Sequence, residues 1–165
     1  METNDITVRE FINDYLIKQI GEIKDKQPYF AFVLMAVGIE FLGQCQNDKT
    51  KFNSGNSKDN YQLGLSISPL DDDKYSKLYE NMRCGLTHSF ITKGGLTLSN
   101  KESDGSISCE DFYNDFVAAC NEVLSGSVPM PKKNLNDIFF VETISDDGSS
   151  TTASTPSVVV QKQSV

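Results

Sequence analysis

The hydrophobic positions near the start of the chain follow the spacing of an amphipathic helix. Between residues 8 and 23 the apolar residues recur at steps of three and four, with polar residues such as Asp14 and Lys18 between them. That spacing places the apolar side chains on one face of a helix. Thr7 and Glu10 have the separation of a capping box, in which each side chain satisfies a backbone N–H of the first turn. The pattern predicts a first helix that begins after Thr7.

A second stretch is apolar on nearly every side of a helix. Pro28 suits a first helical turn, and the segment YFAFVLMAVGIEFL at residues 29–42 has a single charged residue, Glu40. A helix of this kind is buried by neighbours on several faces. The segment is also shorter than the roughly 20 residues that a membrane-spanning helix needs. We therefore predict a central core helix rather than a membrane anchor, and we expect Glu40 to have a partner or to face solvent.

The middle of the chain alternates between loop and helix signals. Residues 47–60 are polar and predict a loop. The apolar residues of segment 61–67 alternate with small or polar ones, which favours an extended segment and leaves a short helix as the alternative. Ser68 and Pro69 then suit the cap and first turn of a third helix, whose apolar stripe runs to Leu86.

Two short strands and a fourth helix are predicted after the third helix. Residues 96–108 contain strand-like segments on both sides of a turn at residues 104–105, which is the pattern of a β-hairpin. Ser108 and Gly126 mark the start and the end of an amphipathic fourth helix. The segment IFFVETI at residues 138–144 predicts another strand, which we expect beside the hairpin.

These patterns together predict a mainly α fold. The 165 residues fit one domain and a tail. We predict a four-helix up-and-down bundle with a small β-hairpin over residues 1–142. Residues 143–165 are rich in Ser and Thr, which predicts a disordered tail. The aromatic residues fit the core stripes of the predicted helices, namely Phe11, Phe30, Phe32, Phe41, Phe112 and Phe116.

The net charge of −8 changes which partners are plausible. An acidic surface repels both nucleic acid and anionic membranes, so a role on RNA requires a local basic patch. Lys49, Lys51 and Lys58 lie in the predicted loop 47–60 and are candidate RNA contacts. The alternative is that they belong to an ordinary solvated loop. We expect no membrane partner.

The cysteines and the single histidine argue against a metal site. No two cysteines form a C-x-x-C pair, and one histidine gives no zinc-ligand spacing. We therefore expect no metal and no cofactor. Cys45, Cys84 and Cys120 fall within apolar helical patterns, which suits small buried thiols. The first ten residues contain no apolar signal-peptide core, so a cytoplasmic location in a reducing compartment is the simplest interpretation.

One segment contains residues suited to catalysis. YENMRCGLTHSF at residues 79–90 holds the only histidine, His88, and one of two arginines, Arg83. Histidine can give and take protons near neutral pH, and arginine can hold two phosphate oxygens at once. The pair is sufficient to cleave RNA without a metal. On a regular helix, however, residues five apart point about 140° away from each other. A bend at Gly85, or two copies meeting across a dimer axis, would bring such groups together.

This segment resembles the R-x(4–6)-H motif of the HEPN helical domains. The match consists of Arg83 and His88, with four residues between them. The resemblance implies an all-helical up-and-down bundle and a metal-independent ribonuclease whose site forms across a homodimer. It also implies RNA as substrate, Arg83 and His88 as the catalytic pair, and a setting in which an operon-encoded protein partner is common.

Structural interpretations of the same residues stay open. His88 can be a histidine at a helix end, and Arg83 can form an ion pair with Glu40 or Glu80. A pair with Glu40 would attach the third helix to the core helix and orient the guanidinium group. Many HEPN-like domains are non-catalytic, so a dimerisation or protein-interaction module with a different partner is the alternative function.

Overall fold

The structure is a computed structural model with a mainly helical architecture, which confirms the predicted fold class. It describes residues 2–52, 55–71, 73–75, 78–79, 97–99 and 106–143. Helix α1 has three consecutive parts, which are Val8–Glu10, Phe11–Gln19 with π-helical hydrogen bonding, and Ile20–Lys24. The other helices are α2 Pro28–Gln46, α3 Ser57–Leu65 and α4 Cys109–Ser125. The strands are β1 Glu2–Thr7, β2 Thr97–Ser99, β3 Ser106–Ser108 and β4 Ile138–Thr143.

The start of α1 confirms the predicted capping box. The Thr7 backbone N–H donates to Glu10 Oε2 at 2.7 Å, and the Glu10 backbone N–H donates to Thr7 Oγ1 at 3.1 Å. The first of these bonds holds the pKa of the Glu10 carboxyl below its usual value. Farther along α1, the Tyr113 hydroxyl of α4 donates to the Ile17 carbonyl at 2.9 Å. A sequence-local cap and a long-range hydrogen bond therefore both position α1.

Helix α2 forms the centre of the fold and packs against α1, α3 and α4. Phe32 of α2 stacks on Phe112 of α4 with 5.9 Å between the ring centroids. The Tyr75 hydroxyl donates to Asp115 Oδ2 of α4 at 2.6 Å, which brings the 3₁₀ turn Asp73–Tyr75 onto the same helix. The most completely buried large side chains include Phe32, Tyr61, Tyr75, Phe112, Phe116, Ile12, Ile20, Met35, Ile39, Leu42, Leu70 and Leu78.

Residues 61–67 differ from the favoured prediction, because most of them belong to α3 rather than to an extended segment. The Asn56 side chain caps α3 by accepting the Lys58 backbone N–H at 3.0 Å. A Cβ added to Gly43 of α2 would lie 1.6 Å from the Asn60 carbonyl oxygen, so α2 and α3 touch through their backbones. This packing and the cap select the helix, because tertiary contacts override a short alternating pattern.

The predicted third helix does not begin at Ser68 and Pro69. Residues 66–71 form turns, followed by the single 3₁₀ turn Asp73–Tyr75. Ser and Pro suit a β-turn as well as a helix start, so the local signal did not distinguish the two. Leu78 and Tyr79 of the predicted helix are helical, and residues 80–96, which include its remainder, lie outside the described part of the chain.

Strands β2, β3 and β4 occur close to their predicted positions, whereas β1 was not predicted and the pairing of the strands differs from the prediction. Strands β2 and β3 pair in parallel, with Thr97 opposite Ser106, so they do not form the antiparallel pair of a hairpin. Strand β4 pairs antiparallel with β1, with Thr7 opposite Ile138, rather than with the predicted hairpin. A strand signal is local, whereas the partner of a strand is decided by the fold.

The predicted boundary between domain and tail lies at the end of the described chain. Strand β4 ends at Thr143, one residue beyond the predicted domain end at residue 142. Residues 144–165 lie outside the described residues, so the disordered tail stays a prediction.

Candidate functional site

The predicted catalytic pair lies outside the part of the chain that the structure describes. Arg83, His88 and Glu80 all belong to residues 80–96. Glu40 is described and is partly buried on α2. The catalytic role of Arg83 and His88, and an ion pair of Arg83 with Glu40 or Glu80, therefore stay predictions.

The three lysines proposed to contact RNA are exposed in and beside the loop that joins α2 to α3. Lys49 Nζ lies 3.8 Å from Asp48 Oδ1, with both side chains well exposed. Lys51 is an exposed loop residue, and Lys58 is an exposed residue in the first turn of α3. Exposed ion pairs contribute little to stability, so the pair with Asp48 does not prevent a ligand from reaching Lys49.

A cleft of about 410 Å³ lies where the loop after α2 meets the start of α3. Its volume is near the lower limit for small-molecule sites. The lining carries one lysine, Lys49, against two aspartates, Asp48 and Asp59, so it does not form a basic patch for a phosphate. The other lining residues are mostly amides and include Gln46, Asn47, Gly55, Asn56, Asn60 and Leu63.

A buried lysine lies at the end of α2. Lys133 is only 5% exposed, and its ammonium donates to the Asn47 carbonyl oxygen at 3.1 Å and to Asn47 Oδ1 at 2.7 Å. It also lies 5.3 Å from the centroid of the Phe52 ring. Asn47 Nδ2 in turn donates to Asn60 Oδ1 of α3 at 2.7 Å. A cation at a helix C-terminus is favourable because of the helix dipole, so Lys133 joins the segment before β4 to α2 and α3.

Lys24 forms a second charged cluster, where the end of α1 meets the start of α4. Its ammonium lies 2.7 Å from Asp25 Oδ1 and also pairs with Glu110. These hydrogen bonds, that to Asp25 first, raise the pKa of Lys24 and keep it charged. A cavity of about 150 Å³ here is lined by Lys24, Asp25, Pro28, Cys109 and Glu110. Lys24 forms ion pairs with Asp25 and Glu110, so its role is to connect the end of α1 to the start of α4.

The described cysteines are buried free thiols. Cys45, Cys109 and Cys120 are all buried, which confirms the prediction for Cys45 and Cys120, whereas Cys84 lies outside the described residues. Burial raises the pKa of Cys45 to about 12 and that of Cys109 to about 11, and it also raises the pKa of Cys120. Nucleophilic cysteines need the opposite shift, so these thiols are structural.

One face of α2 is both apolar and exposed. Phe30, Leu34 and Val37 are 53%, 44% and 48% exposed, respectively. This corrects the prediction that Phe30 lies in the core, whereas the prediction that neighbours cover α2 on several faces is confirmed by its packing against α1, α3 and α4. The sequence showed that this face is apolar, but it did not show that the described elements of the chain leave it exposed.

The length and composition of α2 are also those of a helix able to cross a membrane, and α2 is the one such helix among the described residues. Half of its most apolar window is buried inside the fold. This is also how the core helix of a soluble protein behaves, and it is consistent with the prediction of a protein outside the membrane.

Comparisons with known proteins give this chain no relatives. No family model matches the sequence, and no curated protein and no solved structure matches it. Among the residues that the structure describes, no group of three or more His, Cys, Asp or Glu side chains is placed to hold a metal ion. The function therefore has to be inferred from the sequence motif and from the geometry above.

Proposed function

We propose that this chain is a HEPN-like helical domain that cleaves RNA without a metal ion and acts as a homodimer in the cytoplasm. The observation that carries the proposal is the pair Arg83 and His88, with four residues between them, in a chain that holds no other histidine. The mainly helical architecture of the described residues supports it. The resemblance to HEPN domains implies a helical fold and metal-independent RNA cleavage, in agreement with the proposal.

The two side chains have complementary roles in this proposal. His88 assists the attack of the ribose 2′-hydroxyl on the adjacent phosphorus, or protonates the leaving 5′-oxygen. Arg83 holds the phosphate and stabilises the negative charge that develops in the transition state. Across a dimer axis, each copy brings one Arg83–His88 pair toward the same groove.

The acidic character of the chain limits how RNA is bound. With a net charge of −8, affinity has to come from a small group of cations rather than from the whole surface. Lys49, Lys51 and Lys58 are exposed and are the candidates for phosphate contacts, although Asp48 and Asp59 beside them oppose such contacts. An operon-encoded protein partner that controls access to RNA is compatible with this arrangement.

The test is cleavage of a mixed single-stranded RNA by the full chain in the presence of EDTA. His88→Ala and Arg83→Ala are assayed beside the wild type, and Arg9→Ala is the matched control because Arg9 is the other arginine and is exposed on α1. We expect both motif variants to lose about 100-fold or more of the activity, because His88→Ala removes the general acid or base and Arg83→Ala removes the group that stabilises the transition-state charge. We expect Arg9→Ala to keep the activity.

Two results would contradict the ribonuclease proposal. Cleavage that survives in His88→Ala would place the activity in a contaminant or at another site. Absence of cleavage by a folded, dimeric wild type across several RNA sequences would favour the alternative, a non-catalytic dimerisation or protein-interaction module. The observation that favours this alternative is the exposed apolar face of α2.

A further inference from the structure

One carboxylate of helix α4 holds the 3₁₀ turn that precedes the Arg83–His88 motif in the chain. The Tyr75 hydroxyl donates to Asp115 Oδ2 at 2.6 Å, and the Lys74 ammonium lies 2.9 Å from the same oxygen. Asp115 belongs to α4, so this hydrogen bond joins two parts of the chain that are distant in sequence. We call Tyr75 and Asp115 the anchor pair.

The burial of Tyr75 makes its hydrogen bond important for the position of the turn. Tyr75 is 0% exposed, and its ring centroid lies 5.2 Å from that of Phe112 on α4. A buried hydroxyl that loses its acceptor destabilises the fold, so Tyr75 is held where Asp115 can accept from it. The Lys74 side chain is 47% exposed, and an exposed ion pair contributes little to stability. The anchor pair therefore fixes the turn to α4 more than Lys74 does.

The contacts with the helices continue from the anchor pair toward the motif. Leu78 is 0% exposed, and the ring centroid of Tyr79 lies 5.3 Å from that of Tyr61 on α3. Leu78 and Tyr79 are the last residues that the structure describes before the motif. The chain thus approaches the motif while in contact with α4 at Tyr75 and with α3 at Tyr79.

The length of the chain limits how far Arg83 can lie from these contacts. Arg83 follows Tyr79 by four residues. An extended residue spans at most about 3.6 Å, so the two Cα atoms lie within about 14 Å of each other. A change in the position of Tyr75 and Tyr79 therefore changes the region that the Arg83 guanidinium can reach. Catalysis is sensitive to such changes, because a misplacement of about 1 Å can cost about 100-fold in rate.

We propose that Asp115 is a positioning residue for Arg83. Through its hydrogen bond with Tyr75, it holds on α4 the segment from which Arg83 follows, and it affects RNA cleavage only through that arginine. This inference rests on the proposed function, in which Arg83 holds the phosphate. The contact between Tyr75 and Asp115 does not depend on that function, so it is tested both with RNA and without it.

Tyr75→Phe and Tyr113→Phe form a matched pair of variants. Each removes one hydroxyl from a hydrogen bond that involves α4, since Tyr113 of α4 donates to the Ile17 carbonyl of α1 at 2.9 Å. Only Tyr75 lies in the segment that leads to the motif. In the RNA cleavage assay with EDTA, we expect kcat/KM to fall about tenfold in Tyr75→Phe, because Arg83 is misplaced. We expect Tyr113→Phe to stay close to the wild type.

A double-mutant cycle separates positioning from a general loss of stability. If Tyr75 acts through Arg83, adding Tyr75→Phe to Arg83→Ala should cause little further loss of activity, because the group that it positions is already absent. A purely structural role would lower the activity by the same factor in both backgrounds. Independent factors in this cycle overturn the proposal.

Two substitutions of Asp115 test the carboxylate itself. Asp115→Asn keeps an oxygen that can accept the Tyr75 hydroxyl, so we expect it to keep most of the activity. Asp115→Ala removes the acceptor, and we expect it to lose as much activity as Tyr75→Phe. Circular dichroism checks that each variant has native helix content. Equal losses in folded Asp115→Asn and Asp115→Ala would contradict the role of the hydrogen bond.

Hydrogen exchange followed by mass spectrometry tests the anchor pair without RNA. We expect the peptides that cover residues 80–88 to exchange about tenfold faster in Tyr75→Phe than in the wild type, because local opening becomes easier. We expect Tyr113→Phe to leave those peptides unchanged. Equal exchange in the wild type and in Tyr75→Phe overturns the proposal. A wild type that cleaves no RNA but responds to Tyr75→Phe in this way refutes the ribonuclease proposal and supports the anchor pair.

Discussion

At the scale of single residues, Lys132 and Lys133 show how far neighbours of the same type can differ. Lys132 is exposed, whereas Lys133 is buried and donates two hydrogen bonds to Asn47 at the end of α2. A buried ammonium is unfavourable unless its donors are satisfied. Here the Asn47 carbonyl oxygen, Asn47 Oδ1 and the face of Phe52 surround it. The contribution of Lys133 is therefore to stability and to the position of the chain before β4.

Replacing Lys133 by Met tests this role. The variant keeps the length of the side chain but leaves the Asn47 oxygens without these donors, so we expect a loss of about 1–3 kcal/mol in the free energy of unfolding. Urea denaturation followed by circular dichroism measures this change. Lys132→Met is the control and is expected to change the stability by less than about 0.5 kcal/mol, as exposed substitutions do. Equal effects in the two variants would contradict the structural role of Lys133.

At the scale of elements, glycines set the distance between α2 and α3. A Cβ on Gly43 of α2 would lie 1.6 Å from the Asn60 carbonyl oxygen, and one on Gly64 of α3 would lie 2.0 Å from the Ile39 carbonyl oxygen. Both obstructions are backbone atoms, which cannot move without separating the helices. The contact between α2 and α3 thus depends on the absence of side chains at two positions, one on each helix.

Gly43→Ala is expected to destabilise the fold even though it raises the helix propensity of α2. In an unobstructed helix the change from Gly to Ala stabilises by about 1 kcal/mol, whereas forced overpacking destabilises by about 1–3 kcal/mol. Thermal denaturation of the variant measures which effect is larger.

Gly21→Ala is the comparison for Gly43→Ala. Its added Cβ would meet the Tyr113 hydroxyl at 2.5 Å, the end of a side chain that can turn away. We expect Gly21→Ala to lose less stability than Gly43→Ala. If Gly43→Ala were as stable as the wild type, the close approach of α2 and α3 would be wrong.

At the scale of the whole molecule, the reactivity of the buried cysteine thiols indicates whether the core is folded. Cys45 on α2 and Cys120 on α4 are fully buried, and Cys109 is nearly so. Burial raises the pKa of Cys45 to about 12 from an ordinary value of 9.0. The thiolate is the reactive form, and a raised pKa lowers the fraction of thiolate. Folding therefore protects these thiols near pH 8 in two ways, because burial blocks the reagent and because few thiols are deprotonated.

The protection is measurable with a thiol reagent such as DTNB. In Cys84→Ser protein, which removes the one cysteine outside the described residues, we expect no rapid reaction at pH 8 in buffer and three thiols reacting in denaturant. Raising the pH from 8 to 9 should accelerate the reaction of the unfolded chain, whose thiols approach their ordinary pKa, far more than that of the folded one. Immediate reaction of Cys45 or Cys120 in the native protein would show that the core is not closed.

Much of the helical fold was predictable because helix signals are local. The start of α1 at Thr7, the Pro at the start of α2 and the end of α4 at Gly126 all follow from residues within one turn of the boundary. Gly126 has φ +81°, a conformation that glycine adopts without steric strain. The elements that were predicted wrongly depend on distant partners, as in the pairing of β4 with β1 and the formation of α3 against Gly43.

The sequence by itself determined the mainly helical class, the caps of α1 and α4 and the apolar character of α2, because propensity, capping and periodicity act between residues a few positions apart. It also supplied Arg83 and His88 as the reason to propose ribonuclease chemistry. Only the tertiary structure decided that Lys133 rather than Lys132 is buried, that β2 and β3 are parallel, and that Phe30, Leu34 and Val37 of α2 are exposed. Each of these depends on which distant surfaces meet, and burial is a property of those contacts rather than of the local sequence.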